Sequence, residues 1–305
     1  MRALWRAPYG DRVGDLTIRP MTSDDVPAAE RVSDEGFFDL DVRMRTVSDP
    51  EPTRRGDAHR AVWIERTRHL VTTDPGGCWV AEDDTGLVGI VTSYRRETLW
   101  CLATYAVLPG RQGRGIGKPL LAAALQHGRA CTRGMLSASA DPKALRIYHQ
   151  AGFELHPQMS LTGILDRSAI PVVEKVRDGS AGDIDLMDSL DRATRGAAHG
   201  PDHALMLRTW HLLVSDTTTG SGYAYVNERG QLALLAASNR RTATRLLWAV
   251  LADGPEEVAV DHLTAANQWA LDVGFAARLE LHQKGCLGLR GMKPPAPYVH
   301  HGALL

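Results

Sequence analysis

The chain has 305 residues, 44% of them apolar and 23% charged, with a formal net charge of −1. That length allows two ordinary domains and the composition is that of a globular protein. A balance so near zero excludes the basic excess of a nucleic-acid-binding surface and offers no attraction to an anionic membrane. The four cysteines, Cys78, Cys101, Cys131 and Cys286, are widely spaced with no Cys-x-x-Cys pair, so zinc spacing is absent and reduced thiols are expected. The N-terminus lacks the apolar run of a secretion signal, and no apolar stretch reaches the roughly 18 residues of a membrane span, so a cytoplasmic location is expected.

Residues 1–14 read as a loose arm, and Leu16–Met21 alternates as a short strand. Thr22-Ser23-Asp24-Asp25 supplies capping oxygens and acids that suit a helix dipole, which predicts a helix from Asp24 to about Asp39. A polar, proline-containing loop near Ser48 to Gly56 precedes a second helix, Ala58–Val71, with apolar Val62, Ile64 and Leu70 among charges. Cys78–Glu82 and Leu87–Tyr94 are predicted strands, joined by the turn Asp83-Asp84-Thr85-Gly86. Trp100–Leu108 is a further strand ending at Pro109-Gly110. A glycine-rich loop then leads into a helix from Ile116 to about His127. Met135–Ala140 reads as a strand, Pro142–Gln150 as a helix stopped by Gly152, and Phe153–Leu165 as a strand. A strand-helix-strand run implies a parallel pair with a right-handed crossover, and the meander before it is antiparallel. The expected fold is therefore α/β (α+β): a mixed, mostly antiparallel twisted sheet with helices on both faces, spanning residues 15–165.

The pattern restarts near Asp166, giving a second expected domain at 170–305. Pro171–Val176 reads as its first strand, Asp183–Arg195 and His203–Val214 as helices, and Gly222–Val226 and Gln231–Ala237 as strands joined by Asn227-Glu228-Arg229-Gly230. Thr242–Ala252 is a predicted helix, Val258–His262 a strand, and Ala265–Val273 a helix ended by Gly274-Phe275. This ending echoes the first half, where helix, Gly152-Phe153 and Glu154-Leu155-His156 precede Gly274-Phe275 and Glu280-Leu281-His282, which suggests a weak repeat of about 122 residues. The segment Met292–Tyr298 is too rich in proline for helix or central strand and is expected as an extended surface tail.

Gly113, Gly115 and Gly117 alternate where a strand gives way to a helix. Glycines there allow successive backbone amides to converge on an anion, and the helix N-terminus adds about half a unit of positive charge. Arg111, Arg114 and Lys118 supply full charges nearby, so a diphosphate suits the loop. The spacing of a Walker loop is missing. The dinucleotide fingerprint belongs to the first strand-helix turn of a parallel unit, whereas four predicted strands precede this loop.

Gln112-Gly113-Arg114-Gly115-Ile116-Gly117, after a strand ending in Val107-Leu108-Pro109, resembles the Gln/Arg-x-x-Gly-x-Gly/Ala signature of the GNAT superfamily of acyl-CoA N-acyltransferases. Tyr148-His149-Gln150-Ala151-Gly152-Phe153 matches that family's second mark, and the resemblance covers about residues 15–165. It implies acetyl-CoA as acyl donor, with no metal. Backbone groups of Val107 and Leu108 would hold the pantetheine arm and polarise the thioester. Amides from Gln112 to Gly117, with Lys118, would bind the pyrophosphate, and Tyr148 would protonate the departing thiolate. Many relatives carry a glutamate on the strand before the loop. Leu99–Val107 has no carboxylate, so Glu97, just before it, is the leading candidate base, with a water relay, Glu35 or Asp39 as alternatives.

The second half departs from this pattern. Ser238-Asn239-Arg240-Arg241 stands where the loop should be and has no glycine, and the expected tyrosine position is Ala270. Residues 170–305 are thus read as a GNAT-like repeat without cofactor binding, completing a cleft or acting as an internal partner. The histidines show no ligand spacing along the chain, and His300-His301 reads as a tail feature. The expected activity is acetyl transfer to a primary amine, a small molecule in preference to a protein, by a chain that is monomer or homodimer and binds neither nucleic acid nor membrane. An acyl-CoA sensor, a protein N-acetyltransferase and a longer acyl donor are the alternatives.

Overall fold

A capping box at Thr22 and Asp25 opens the 3-10 turn that leads into the first helix. Asp25 Oδ2 accepts a hydrogen bond from the Thr22 amide at 2.8 Å and ion-pairs with Arg19. The computed structural model describes residues 16–46 and 51–305. The expected N-terminal arm and the loop residues Ser48–Pro50 lie outside the described residues.

Two compact units emerge, one comprising residues up to Arg95 with Trp100–Cys131, the other Arg96–Leu99 with Thr132–Leu305. The first contains β1 (Thr17–Pro20), α1 (Val26–Met44), α2 (Asp57–Thr73), β2 (Cys78–Asp83), β3 (Gly86–Arg96), β4 (Leu99–Val107) and α3 (Gly117–His127). Its strands lie in the order β1-β2-β3-β4, and β2 runs antiparallel to both β1 and β3. Residues Val88–Tyr94 of β3 are buried without alternation, the pattern of a strand covered on both faces. Leu120, Leu121 and Ala124 turn one face of α3 into this core.

The second unit contains β5 (Arg133–Ala138), α4 (Pro142–Gln150), β6 (Glu154–Ile164), β7 (Arg177–Asp178), α5 (Ile184–Thr194), α6 (Asp202–Thr209) and β8 (His211–Thr217). It continues with β9 (Gly220–Val226), β10 (Leu232–Ala237), α7 (Arg240–Asp253), β11 (Glu257–Thr264), α8 (Gln268–Ala276), β12 (Glu280–Arg290) and β13 (Tyr298–Val299). The strands form two runs, β5-β12-β6-β11 and β13-β10-β9-β8-β7. Strand β12 thus inserts between β5 and β6, and β6 is flanked on both sides by strands from the second half of the sequence. One core of Leu246, Leu247, Trp269, Val273, Leu161 and Leu279 ties α7 and α8 to these strands.

Several second-half expectations are corrected. Pro171–Val176 forms no ladder. Val172 is 89% exposed while Ile170, Val173 and Val176 pack on the core, and Lys175 turns the chain with a left-handed φ of +64°, so the segment lies on the core without a partner strand. The helix expected over His203–Val214 stops at Thr209, because Leu212–Val214 pair with β9 as β8. The proline-rich segment leaves Lys293 and Ala296 exposed and joins no ladder before Tyr298, but it ends in the core: Tyr298 and Val299 pair with β10, and Tyr298, Val299, His300, Ala303, Leu304 and Leu305 are buried.

The repeat is also closer than the sequence suggested, and its register is 126 residues, not 122. Pro142–Gln150 maps onto Gln268–Ala276, and Glu154–Ile164 onto Glu280–Arg290, each end for end. Ala151 and Ala277 share the same backbone angles, and the left-handed residue that follows is Gly152 in one and Arg278 in the other. Gly274-Phe275 is therefore not the counterpart of Gly152-Phe153. Gly274 lies inside α8, where a Cβ would overlap the Leu161 side chain, and Phe275 is half-exposed.

Candidate functional site

In the first unit, β4 delivers the chain to the glycine-rich loop. The Leu108 amide donates to Val88 O at 2.9 Å, and the Gln112 side chain donates to Val107 O at 3.2 Å, so the strand end is held from both sides. Gly113 and Gly115 have φ of +79° and +86°, with open space where a Cβ would stand. Glycine is needed there for backbone conformation. Gly117, in contrast, is needed for space, since a Cβ would overlap the Tyr105 hydroxyl. Helix α3 starts at this point with no side-chain cap from Ile116, so its first amides are not taken up by a capping side chain. Residues 113–115 and Lys118 are exposed, whereas Ile116 is a buried anchor. Arg111 pairs with Asp83 at 3.1 Å and donates to Thr85 Oγ1, which braces the loop on the β2–β3 turn. Exposed loop residues, a helix terminus and basic side chains are together the chemistry that anion binding requires.

The other expected groups lie in the second unit. Tyr148 sits in the last turn of α4, 6% exposed. Its carbonyl accepts from the Phe153 amide at 3.1 Å, and Gly152 takes a left-handed φ of +88°. Phe153 is buried with the Arg290 guanidinium 5.2 Å from its ring centroid. The Gly-Phe pair thus ends the helix and pins it, setting the tyrosine's place in the last turn. Glu97 lies at the tip between β3 and β4 with φ of +51°, and its carboxylate accepts from Arg192 Nε at 2.8 Å. Beside it Arg96 pairs with buried Asp202 at 2.8 Å. Asp24 and Glu35 line a cavity of the first unit together with Leu108.

The second half's equivalent of the loop is closed. Only Ser238 and Asn239 separate β10 from α7, and the Asn239 side chain caps that helix by accepting from the Thr242 amide at 3.0 Å. The end of β10 is also occupied, because Ala237 N donates to Pro297 O at 3.2 Å and Leu235 and Ala236 pair with Val299 and Tyr298.

Sequence spacing missed a buried cluster in which Asp191, His199 and His203 offer ligand-type atoms within 4.8 Å of one another. His199 Nδ1 lies 2.7 Å and His203 Nε2 3.2 Å from Asp191 Oδ2, while Tyr223 donates to Asp191 Oδ1 at 2.5 Å. Arg195 contacts His199 Nε2 from the other side. The separation of 2.7 Å is that of a hydrogen bond, and the guanidinium already supplies positive charge, so the cluster reads as a network tying α5 and α6 to β9. Burial outweighs the neighbouring carboxylate and pulls His199 down to about 4. Asp191 stays far below the usual carboxylate range because His199, His203 and Arg195 outweigh its burial.

Residues 41–153 match the profile of the Acetyltransferase (GNAT) family. Over those residues the chain is similar to that family. The mycothiol acetyltransferase of Streptomyces avermitilis is 34% identical over 88 residues, a match covering 27% of this chain and 29% of that protein. An acetyltransferase assigned as such from Pyrococcus horikoshii shares the fold with a TM-score of 0.74 at 17% identity, over 98% of each chain. A tandem GNAT protein from the clavulanic acid biosynthesis pathway superposes with a TM-score of 0.54 at 14% identity, over 91% of this chain and 99% of that one. The fold is that of two GNAT-like halves in tandem. No helix among the described residues is long and apolar enough to cross a membrane.

Proposed function

We propose that the chain is an acetyl-CoA-dependent N-acetyltransferase that transfers its acetyl group directly to a primary amine, a small molecule, within a ternary complex. The observation that carries this reading is the uncapped start of α3 behind left-handed Gly113 and Gly115. Amides from Gln112 to Gly117, with Arg114 and Lys118 alongside and Ile116 as the anchor, bind the pyrophosphate. Backbone groups of Val107 and Leu108 hold the pantetheine arm. Tyr148 gives its proton to the departing thiolate. Glu97 was the candidate base from sequence, but its pairing with Arg192 supports a role in holding the tip between β3 and β4. The second half binds no CoA and serves as the internal partner.

A thiol-release assay with acetyl-CoA across a panel of amines tests the reading. Tyr148→Phe is expected to lower kcat about 100-fold or more with little change in KM for acetyl-CoA, the scale of a lost general acid. Glu97→Gln should stay within about threefold of wild type, since an exposed ion pair contributes at most about 1 kcal/mol. Acetyl-CoA binding without turnover on any amine would instead favour a sensor. Turnover on peptides alone would make the acceptor a protein, and a preference for propionyl- or succinyl-CoA would change the donor.

A further inference from the structure

Helix α2 carries a charged residue where its packing stripe calls for an apolar one. Its buried residues are Trp63, Arg66, Thr67, Leu70 and Val71, and Arg66 stands among them only 8% exposed. Arg66 Nε is buried with no hydrogen-bond partner, and among the described residues no carboxylate pairs with its guanidinium. By contrast, Arg55 pairs with Glu30 at 2.8 Å and Arg54 with Asp34 at 3.0 Å. Arg55 and Arg66 both face the ring of buried Trp63, at 5.3 and 5.9 Å from its centroid.

Two further donors of this layer are orphaned, Thr67 Oγ1 beside Arg66 and Thr92 Oγ1 on β3. Gly89 of β3 lies against α3, where a Cβ would stand 2.8 Å from Leu120 Cδ1. Thr92 and Tyr94 have the opposite parity and so face away from α3, and the field of Tyr94 reaches Arg66. Buried donors without acceptors are rare in folded proteins, and each asks for a missing partner. Burial, with the charge of Arg55, pushes Arg66 down to about 10, so it stays a cation at neutral pH in surroundings that penalise its charge. A guanidinium fork with hydroxyls beside it suits an oxyanion. The layer also reaches the end of β4. A Cβ on Gly36 of α1 would stand 3.5 Å from Ala106 Cβ and 3.6 Å from Val107 O. Within two turns before Gly36 on the same helix, Ser33 and Glu30 hold Arg55. Arg66 and the strand end assigned above to the pantetheine arm thus belong to one compact unit, with α1 running between them.

We infer that Arg66 binds an oxyanion carried by the acceptor, a carboxylate or a phosphate, so that the amine to be acetylated is an amino acid or another amine bearing such a group. The assignment rests on the proposed N-acetyltransferase activity. The guanidinium pairs with the oxyanion, the Thr67 and Thr92 hydroxyls donate to it, and Trp63 keeps the guanidinium in place. An acceptor without the group leaves a buried cation and two hydroxyls unpaired, which is how a polar site rejects an analogue.

The test is binding, with turnover as a second readout. The full chain saturated with CoA, which cannot react, is titrated with amines of graded length that end in a carboxylate, a phosphonate or a neutral carboxamide. Wild type should bind one of the two anions about 30-fold or more tightly than the matched carboxamide, and the tighter one names the group. With acetyl-CoA, kcat/KM should rank the amines in the same order. Arg66→Met should bind all three alike and bind acetyl-CoA as wild type does. Its melting temperature should hold or rise, because a buried charge without a partner is gone. Arg66→Lys, which keeps the charge without the fork, should recover part of the preference. A folded Arg66→Met that melts lower yet keeps the preference would make the residue structural and overturn the assignment. Wild type that shows no preference for an anion at any length overturns it too, whether or not a variant folds. Wild type that shows the preference and acetylates no amine would uphold the oxyanion site and refute the enzyme reading, a distinct failure.

Discussion

Helices α3 and α7 stand at equivalent places in the two halves, yet their first amides are used differently. Behind β4, nine residues from Leu108 to Ile116 intervene, glycines take left-handed angles and no side chain caps the helix. Behind β10 only Ser238 and Asn239 intervene, Asn239 caps the helix, and the tail pairs with the strand end. A helix start can serve an anion or its own cap, and a strand end can serve a ligand or another strand. The two halves share architecture and differ in which partner those backbone groups have, which is why fold alone does not report activity.

The largest effect that sharpens this contrast lies in the tail. Tyr298→Ala removes a buried aromatic from β13 and should destabilise the second unit by about 3–5 kcal/mol, read from denaturant unfolding. It should not create a second acetyl-CoA site, because Asn239 still caps α7. Acid is the next lever. His199 titrates at about 4 in the fold and near 6.5 when free, so between those values the unfolded chain binds more protons. Asp191, held low in the fold, adds in the same direction at lower pH. Melting temperature should therefore be maintained above pH 7 and fall progressively from about pH 6.5 to pH 4. A flat profile would mean that the network is not closed as described.

Gly115→Ala probes the first half. Its Cβ meets no neighbour, so the cost is the left-handed angle alone, about 1–2 kcal/mol, and acetyl-CoA should bind about tenfold more weakly without loss of the fold. Asn239→Ala is the smallest change, costing about 1 kcal/mol of stability through the lost cap and leaving acetyl-CoA binding intact.

The first half was legible because its signals are local. The capping residues before α1, the turn at Asp83–Gly86, the glycine loop and Gly152 each act within a few residues, and Pro142–Gln150 is helical over the bounds its sequence predicts. The second half was harder because its determinants are distant in sequence. Leu212–Val214 suits helix or strand until β9 pairs with it. The tail's prolines suggested surface, but they deliver Tyr298 to a strand more than 60 residues earlier. The repeat drifted by four residues because Gly274-Phe275 mimics a helix stop that Arg278 provides. In the Asp191 cluster His199 and His203 stand four apart, a local signal, but Asp191 lies up to 12 positions before them, and a stacked histidine pair joins 262 to 300, which no local pattern links. The tip between β3 and β4 carries Glu97, but its partner Arg192 lies 95 residues away.

Isothermal titration of the full chain with acetyl-CoA tests the central claim most directly. One equivalent should bind, with Gly115→Ala weakening it and Asn239→Ala leaving it unchanged. No binding to folded protein, two equivalents per chain, or one equivalent that responds to Asn239→Ala but not to Gly115→Ala would contradict it.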